Sequence, residues 1–193
     1  MLDNVSIIIP LADNETAHHN LITVLKDTNA EIILPSKGTR AKSLNAGAAK
    51  ASRAFLWFLH ADSSITTENI SALDKASREH PSALHYFDLA FDDGGISKIN
   101  AWGANLRSQL LGLPFGDQGL CIAKEHFTPY REDVPCAEDL HFVISAHKND
   151  IKLKRIGSKL ITSARKYREK GWLKLTCQYQ IIWIEIYFKE RFS

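Results

Sequence analysis

Acidic side chains of this 193-residue chain stand at a few places where apolar segments end. The clearest place is AFLWFLHADSS (Ala54–Ser64), in which six apolar residues run directly into His60 and Asp62. A short continuous apolar run with polar ends is typical of a strand that is buried on both faces of a sheet. Ligands of open α/β sheets bind outside the carboxyl ends of such strands. Asp62 is therefore predicted to meet a ligand or its metal ion.

Two further acidic groups lie in the second half of the chain. Glu138 and Asp139 begin a predicted helix that runs to about Lys148, and the simplest interpretation is that they favour its positive N-terminus. Asp117 and Gln118 lie between two glycines, which permit a positive φ or a close approach of the backbone. Such a segment is either a binding loop or a plain turn.

The charge of the chain is unevenly distributed. Residues 151–193 hold 11 Lys and Arg against three Glu, whereas residues 1–150 hold 13 basic and 19 acidic residues. A basic end favours a phosphorylated ligand or an anionic surface nearby. The alternative is a solvated helix face that serves no partner.

Strands and helices alternate along the chain. Val5–Pro10 is a second buried strand, Arg40–Ser52 reads as an alanine-rich helix, Thr66 can cap a helix through Arg78, and Ala83–Phe91 alternates as a strand does. This alternation predicts an α/β sandwich with a largely parallel sheet. With no repeat, linker or low-complexity stretch, residues 1–193 are predicted to form a single domain.

Three other segments are predicted with less regular patterns. Asp13 or Asn14 is placed to cap a helix that runs to about Thr28. Residues 151–157 and 159–163 read as two strand-like pieces. Residues 172–193 form an amphipathic helical tail, with large apolar residues at helical spacing.

Composition excludes several classes of protein. Three widely spaced cysteines and no CxxC pattern argue against a disulfide framework or a structural zinc site, and favour a reducing cytoplasm. No apolar stretch reaches the ~18–20 residues of a membrane span, and the N-terminus does not read as a signal peptide. Aromatic and basic residues do not interleave in the predicted sheet, which argues against nucleic-acid binding.

The order of several motifs resembles that of family 2 glycosyltransferases with the GT-A fold. These motifs are VSIIIP with Asn14 and Glu15, KGTRAKSLNAG (Lys37–Gly47), FLHADSS (Phe58–Ser64) and the pair Glu138–Asp139. A compact bacterial subgroup, some members of which are associated with arsenosugar biosynthesis, also has a GDQG-like loop (Gly116–Gly119) and a TSAR-like segment (Thr162–Arg165). Each motif alone is weak, and their shared order carries the resemblance.

The resemblance implies a three-layer α/β sandwich and an inverting, metal-assisted transfer of a sugar from a nucleotide-diphosphate donor to a hydroxyl acceptor. Asp62 becomes the metal or diphosphate residue, because a carboxylate oxygen suits Mn²⁺ or Mg²⁺. His60 is a candidate second metal ligand, which would favour Mn²⁺, or else a strand-end histidine that bonds to the backbone. Arg40, Asn45 and Arg165 are the predicted contacts of the donor and its diphosphate.

The resemblance assigns the remaining acidic residues to the acceptor side. Asp139 is the candidate base that takes the proton of the incoming hydroxyl, since a carboxylate must lie close to it. Glu138 is predicted to orient the acceptor or a neighbouring loop. Asp117 and Gln118 are predicted to contact a sugar.

One departure from the family pattern bears on activity. The strand Glu31–Leu34 leads straight to Lys37 and Gly38, so one strand–helix unit is missing near the N-terminus, together with the aspartate that contacts the nucleotide base. The alternative hypothesis is therefore a degenerate GT-A domain that binds a sugar, a nucleotide or a partner without catalysis.

The pattern of the tail, residues 172–193, is consistent with two kinds of contact. Its apolar side, with lysines nearby, predicts either a peripheral contact with the inner face of the membrane, where a lipid-linked acceptor would be met, or packing against the domain or a second subunit. Glu185 lies in the most apolar part and argues against deep insertion.

Overall fold

A computed structural model describes residues 2–12 and 16–191 of the chain. The strands are β1 (Val5–Ile8), β2 (Glu31–Ile33), β3 (Phe55–Phe58), β4 (Leu84–Phe91), β5 (Cys121–Ala123) and β6 (Leu153–Thr162). The helices are α1 (His18–Leu25), α2 (Arg40–Lys50), α3 (Thr67–Glu79), α4 (Ile96–Leu111), α5 (Glu138–Lys148), α6 (Arg165–Lys170) and α7 (Trp172–Arg191). Short 3₁₀ turns occupy Gly116–Gln118 and Lys124–His126.

The six strands form one sheet in the order β2-β1-β3-β5-β4-β6. β1 pairs in parallel with β2 and β3, and β4 pairs in parallel with β6. β5 runs antiparallel between β3 and β4, so the other five strands share one direction. Their carboxyl ends therefore meet at one edge of the sheet, which is where α/β proteins bind their ligands. The predicted α/β architecture with a mostly parallel sheet is confirmed.

Helices cover both faces of the sheet. Ile8 and Phe58 pack on one face with apolar residues of α2 and α5, and Ile7 and Trp57 pack on the other with apolar residues of α1 and α3. β1 and β3 are therefore buried on both faces, because successive strand residues point to opposite faces, and the one polar residue of β1, Ser6, is buried as well. The two layers of core make the three-layer sandwich that the sequence predicted.

The helix ends follow local capping chemistry. Thr66 caps α3 as predicted: its hydroxyl accepts from the Asn69 amide, and the Asn69 side chain accepts from the Thr66 amide. Thr39 caps α2 by accepting from the amide of Lys42, so Arg40 is its first residue. The described part of α1 begins at His18, and the predicted caps Asp13 and Asn14 lie outside the described residues.

The two strand-like pieces near residue 157 are one strand. Phe87 pairs with Ile156 and Asp88 pairs with Lys159, so two extra residues form an irregularity in β6 without ending it. Asp88 also accepts from Arg155 through both carboxylate oxygens, at 2.6 and 2.7 Å. This ion pair holds the bulged part of β6 against β4.

α7 lies beside α4 and α5. Trp183, Ile186 and Tyr187 pack partly against the core, and Glu190 near the end of the helix pairs with Lys148 at 2.7 Å. No helix in the described ranges is long and apolar enough to cross a membrane.

Candidate active site

A cleft of about 230 Å³ opens at the carboxyl ends of β1 and β3. Its walls come from the loop after β1, the start of α2, the end of β3 and the start of α6. The charged or titratable residues that line it are Arg40, His60, Asp62, Arg165 and Lys166. Among the described residues, three cations against one carboxylate make the cleft electropositive, which suits an anion such as a diphosphate.

Arg40 ties the cleft to the acidic start of α5. Its Nη1 donates to Glu138 Oε1 at 2.5 Å, and its Nη2 donates to His60 Nε2 at 2.6 Å. Burial acts to lower the pKa of Arg40, but the charges of Asp139 and Glu138 outweigh it, so the pKa is raised. Arg40 also lowers the pKa of Glu138 against the opposing effect of burial. This ion pair therefore joins two of the predicted site segments.

Gly116 is the point at which four segments meet. Its amide donates to Asp139 Oδ2 at 2.6 Å. A Cβ at this position would lie 2.6 Å from Arg40 Nη2, 2.9 Å from Asp139 Oδ2 and 3.3 Å from His60 Nε2. Glycine is therefore required here because a side chain would push the cluster apart, not because of the backbone angle.

His60 is neutral in this arrangement. A guanidinium can only donate, so Nε2 of His60 accepts and the proton of the ring is on Nδ1. Burial, with the cations of Arg40 and Lys166 beside it, holds the pKa of His60 well below its usual range. Neither ring nitrogen then offers a lone pair to a metal. His60 is accordingly a partner of Arg40 in this arrangement, and its role as a metal ligand stays a prediction.

The described residues do not form a metal site by themselves. No group of three or more His, Cys, Asp or Glu side chains within residues 2–12 and 16–191 is arranged to hold an ion. Asp62 lines the cleft as predicted, but its nearest predicted co-ligand, His60, bonds to Arg40. Protein cations are the groups available in the described cleft to balance the charge of a diphosphate.

Two carboxylates lie on the inner side of this junction. Asp139 accepts from the amides of Gly116 and Leu140, at 2.6 and 2.9 Å, so both its oxygens are oriented by the backbone. Asp117 is half-buried, and burial together with the nearby charge of Asp139 raises its pKa to about 6, against the opposing effects of Arg107 and Arg40. A carboxyl group that titrates near neutral pH is typical of functional sites.

Sequence reasoning missed the residues that surround Asp117. Arg107 stacks on the Phe115 ring at 3.6 Å, and burial lowers the pKa of Arg107 although Asp117 and Asp139 act to raise it. Burial and the charge of Asp117 raise the pKa values of Tyr167 and Tyr179. These residues come from α4, α6 and α7, and no local motif marks them. Only the folded chain brings them to Asp117.

Two predicted site residues have structural contacts instead. Asn45 does not line the cleft, because its side chain bonds to the backbone N–H and C=O of Tyr130 at 2.8 and 2.9 Å, which fastens a loop to α2. Gln118 is fully buried, accepts from Ser108 Oγ at 2.7 Å and donates to the carbonyl of Phe87 at 3.0 Å. With these partners Gln118 holds buried parts of the chain together, and its contact with a sugar stays a prediction.

The remaining predicted residues are placed as follows. Glu138 is held by Arg40, so its carboxylate neutralises that cation and is not directed at an acceptor. Arg165 is exposed at the mouth of the cleft, where the TSAR-like segment is fixed by Asp92, which accepts from the amide of Ala164 at 2.8 Å. The structure thus brings Arg40, Asp62 and Arg165 to one cleft and joins it to Asp139 through Arg40.

Comparison of sequences finds no family model and no curated protein that matches this chain. Solved structures do match. TarS 1–349 of S. aureus aligns with a TM-score of 0.62 at 13% identity, over 83% of this chain and 60% of that one. The same fragment in complex with UDP-GlcNAc aligns with a TM-score of 0.57 at 12% identity, over 83% and 58% of the two chains.

A second protein has the same fold. Glucosyl-3-phosphoglycerate synthase of Mycobacterium tuberculosis, in complex with Mn²⁺, UDP and glucosyl-3-phosphoglycerate, aligns with a TM-score of 0.51 at 13% identity, over 80% of this chain and 70% of that one. The chain spans 60% or less of the TarS chains it matches. At these identities the likeness concerns the fold, and the fold of this chain is that of the GT-A glycosyltransferases.

Proposed function

We propose that this protein is a glycosyltransferase that moves a sugar from a nucleotide-diphosphate donor to a hydroxyl acceptor with inversion. The observation that carries the proposal is the electropositive cleft at the carboxyl ends of β1 and β3, joined through Arg40 to the carboxylate of Asp139. A leaving diphosphate gathers negative charge, and an attacking hydroxyl must lose a proton. The cleft offers positive charge for the diphosphate, and Asp139 offers a carboxylate for the proton.

The proposed reaction is a single displacement. The acceptor oxygen attacks the anomeric carbon, the bond from that carbon to the diphosphate oxygen breaks, and the hydroxyl proton passes to Asp139. Arg165 and Lys166 meet the charge that develops on the diphosphate, since both line the cleft and are exposed. Because Asp139 is held by two amides, it acts through its fixed position more than through its basicity.

UDP is the proposed nucleotide of the donor. The TarS and glucosyl-3-phosphoglycerate synthase structures that align with this chain hold UDP or UDP-GlcNAc. Asp62 is the carboxylate of the described cleft that is proposed to lie nearest the diphosphate. Asp62 would hold a divalent cation that binds together with the donor, because Mg²⁺ is usually held by one or two carboxylates and the phosphates of its substrate, and the cation would offset the charge of the leaving diphosphate.

A second candidate is a domain that binds a nucleotide or sugar without catalysis. Ligand pockets for small molecules are usually about 300–1,000 Å³, and the cleft of about 230 Å³ is below that range. The edge position of β2, which pairs with β1 alone, fits the loss of a strand–helix unit at the donor side.

Two measurements test the proposal. UDP is titrated calorimetrically into the full chain, with Mn²⁺ and with a chelator, and release of UDP from UDP-sugars is followed with a panel of hydroxyl acceptors. Binding with turnover supports the transferase. UDP binding without turnover on any sugar supports the second candidate. If UDP does not bind with Mn²⁺ or with the chelator, the assignment of UDP is wrong for both candidates.

The variants follow from the cleft. Arg165→Ala/Lys166→Ala should weaken UDP binding by about tenfold or more, because two charges at the mouth are lost. Lys50→Ala, an exposed lysine at the far end of α2, is the matched control and should bind as the natural chain does. Asp139→Asn should keep UDP binding while losing transfer by about a hundredfold or more.

A further inference from the structure

Two helices expose large apolar side chains to solvent. On α4, Trp102 is 66% exposed and Leu110 is 72% exposed, and on α7, Leu173 is 75% exposed. Single exposed apolar residues are ordinary, whereas contiguous apolar patches mark an interaction surface. We name the α4/α7 face by nine of the exposed large apolar residues of the two helices: Ile96, Ile99, Trp102, Leu106, Leu110, Leu173, Ile181, Ile184 and Phe188.

The two helices lie side by side and run parallel. Asn100 Nδ2 donates to Thr176 Oγ1 at 2.7 Å. Leu111 and Tyr187 line one cavity of about 370 Å³, which residues of α5 also line. The second pair is 11 residues beyond the first on both helices. On each helix the residue of the second pair lies nearer the C-terminus than the residue of the first pair, as it must when two neighbouring helices run parallel.

Helical geometry places the apolar residues of α4 on its outer side. Asn100 points to α7, and the next residue, Ala101, is buried together with Ser108. Each residue turns the helix by about 100°, so the residues on the opposite flank from Ala101 face solvent. That flank carries Ile99, Leu106 and Leu110.

The same helical geometry places the apolar residues of α7, with the buried residue now before the residue that points to the other helix. Thr176 points to α4, and the preceding residue, Leu175, is buried. The flank that follows Thr176 therefore faces outward, and it carries Leu173, Ile181, Ile184 and Phe188. Because the buried flanks of both helices face the core, the two apolar stripes lie on the same outer side and form one continuous surface.

The rim of the α4/α7 face is basic. α4 contains no Asp or Glu, and its Lys98 is exposed. Lys170, the last residue of α6, and Lys174, in the first turn of α7, are both exposed, and Lys174 lies on the flank of α7 that turns away from α4. Glu185 is the exposed acid of α7, while Glu190 is held by Lys148 and Arg131. An apolar surface with a cationic rim matches an anionic lipid surface, which offers acyl chains and phosphates together.

We propose that the α4/α7 face docks on a bilayer that contains anionic phospholipid, with both helices lying in the plane of the interface. Trp102 is an amphipathic side chain suited to the headgroup level. A second copy of this chain fits the surface less well, because an isologous contact sets one lysine-bearing rim against another. The proposal does not depend on sugar transfer.

The α4/α7 face and the surroundings of Asp117 share helix α7. Tyr179 on α7 and Tyr167 on α6 both lie close enough to Asp117 for its charge to affect their titration. The inner side of the candidate site is therefore bordered by the same helix that carries half of the α4/α7 face.

Flotation of the full chain with vesicles tests the proposal. The chain should float with vesicles of phosphatidylcholine and phosphatidylglycerol, and bind about tenfold or more weakly to phosphatidylcholine alone or at high salt. Trp102→Ser/Leu110→Ser and Lys170→Glu/Lys174→Glu should each weaken flotation by about tenfold or more. Val24→Ser/Lys75→Glu, which changes an exposed apolar residue on α1 and an exposed lysine on α3, is the control and should float normally.

Two outcomes would overturn the docking proposal. One is a folded natural chain, checked by circular dichroism, that does not float with the anionic vesicles or floats equally well after the Trp102→Ser/Leu110→Ser change. The other is a concentration-dependent dimer in analytical ultracentrifugation that this double change makes monomeric, since the occupant would then be a second copy. UDP titration of the same variants separates the two proposals, because loss of flotation with UDP binding retained concerns the lipid surface alone.

Discussion

Asp117 is predicted to lower the free energy of unfolding of the chain at neutral pH, and the Asp117→Asn variant tests this directly. Its pKa rises from an ordinary 3.8 to about 6 in the folded chain, because burial and the charge of Asp139 disfavour the ionised form. In the pH range between these values the unfolded chain holds an ionised Asp117 while the folded chain holds a protonated one. The contribution of Asp117 to stability is therefore fully present below pH 3.8 and is lost as the pH rises through 6.

The size of the effect follows from that change in pKa. A group whose pKa rises on folding from 3.8 to about 6 costs about 3 kcal/mol at pH values above both. Asp117 is half-buried and coupled to Asp139, so partial solvation reduces the expected cost to about 1–2 kcal/mol. For a chain of this size that corresponds to a rise of about 2–8 °C in Tm when Asn replaces Asp117.

Thermal unfolding at a series of pH values measures this. Asp117→Asn should unfold at a higher temperature than the natural chain at pH 7.5, and the two curves should converge as the pH falls toward 4. Asp27→Asn, which changes an exposed aspartate at the end of α1, should leave Tm unchanged at every pH. A Tm for Asp117→Asn that is equal to or below that of the natural chain at pH 7.5 would refute the reasoning about burial and Asp139.

Three further substitutions test the contacts of the site, each by chemical denaturation. Gly116→Ala should destabilise by about 1–3 kcal/mol, because the new Cβ meets Arg40 and Asp139, whereas Gly103→Ala, which has nothing within 4 Å, should stabilise α4 by about 0.5–1 kcal/mol. A Gly116→Ala chain as stable as the natural one would contradict the close approach. Gln118→Ala should destabilise by about 2–4 kcal/mol, because its buried partners lose their hydrogen bonds; a cost near zero would contradict its structural role. Asn45→Ala should cost about 1–2 kcal/mol and leave UDP binding within about threefold of the natural chain, and a larger loss of binding would restore Asn45 to the donor site.

Much of the fold could be predicted because β1 and β3 are central strands. A strand buried on both faces is apolar at most successive positions, as Val5–Ile9, with Ser6 as the exception, and Leu56–Leu59 are. The position of Asp62 followed from that, since a polar residue directly after such a strand has to lie at the edge of the sheet. β5 could be predicted as a strand, but its antiparallel direction depends on the long return through α4, which has no local signal.

The roles of the polar site residues could not be predicted in the same way. Asn45, Gln118 and His60 have side chains that suit a ligand, and all three bond instead to other parts of the chain. A sequence shows that a polar side chain is present but not whether a buried carbonyl or amide elsewhere needs it. Arg107 and Tyr179 were missed for the converse reason, because their elements meet Asp117 only after folding.

The distribution of charge across Arg40 explains how one small site can serve two opposite needs. On the cleft side, Asp62 is the one carboxylate among the described lining residues, and Arg165 and Lys166 line the cleft with it, so an anion is favoured there. On the inner side, burial and the charge of Asp139 raise the pKa of Asp117, so a proton on Asp117 is favoured there. Arg40 lies between the two sides. Because its guanidinium bonds to Glu138 and His60, its positive charge is only partly available to an anion in the cleft or to the two acids. A negative leaving group on one side and a proton acceptor on the other are what a displacement at an anomeric carbon requires.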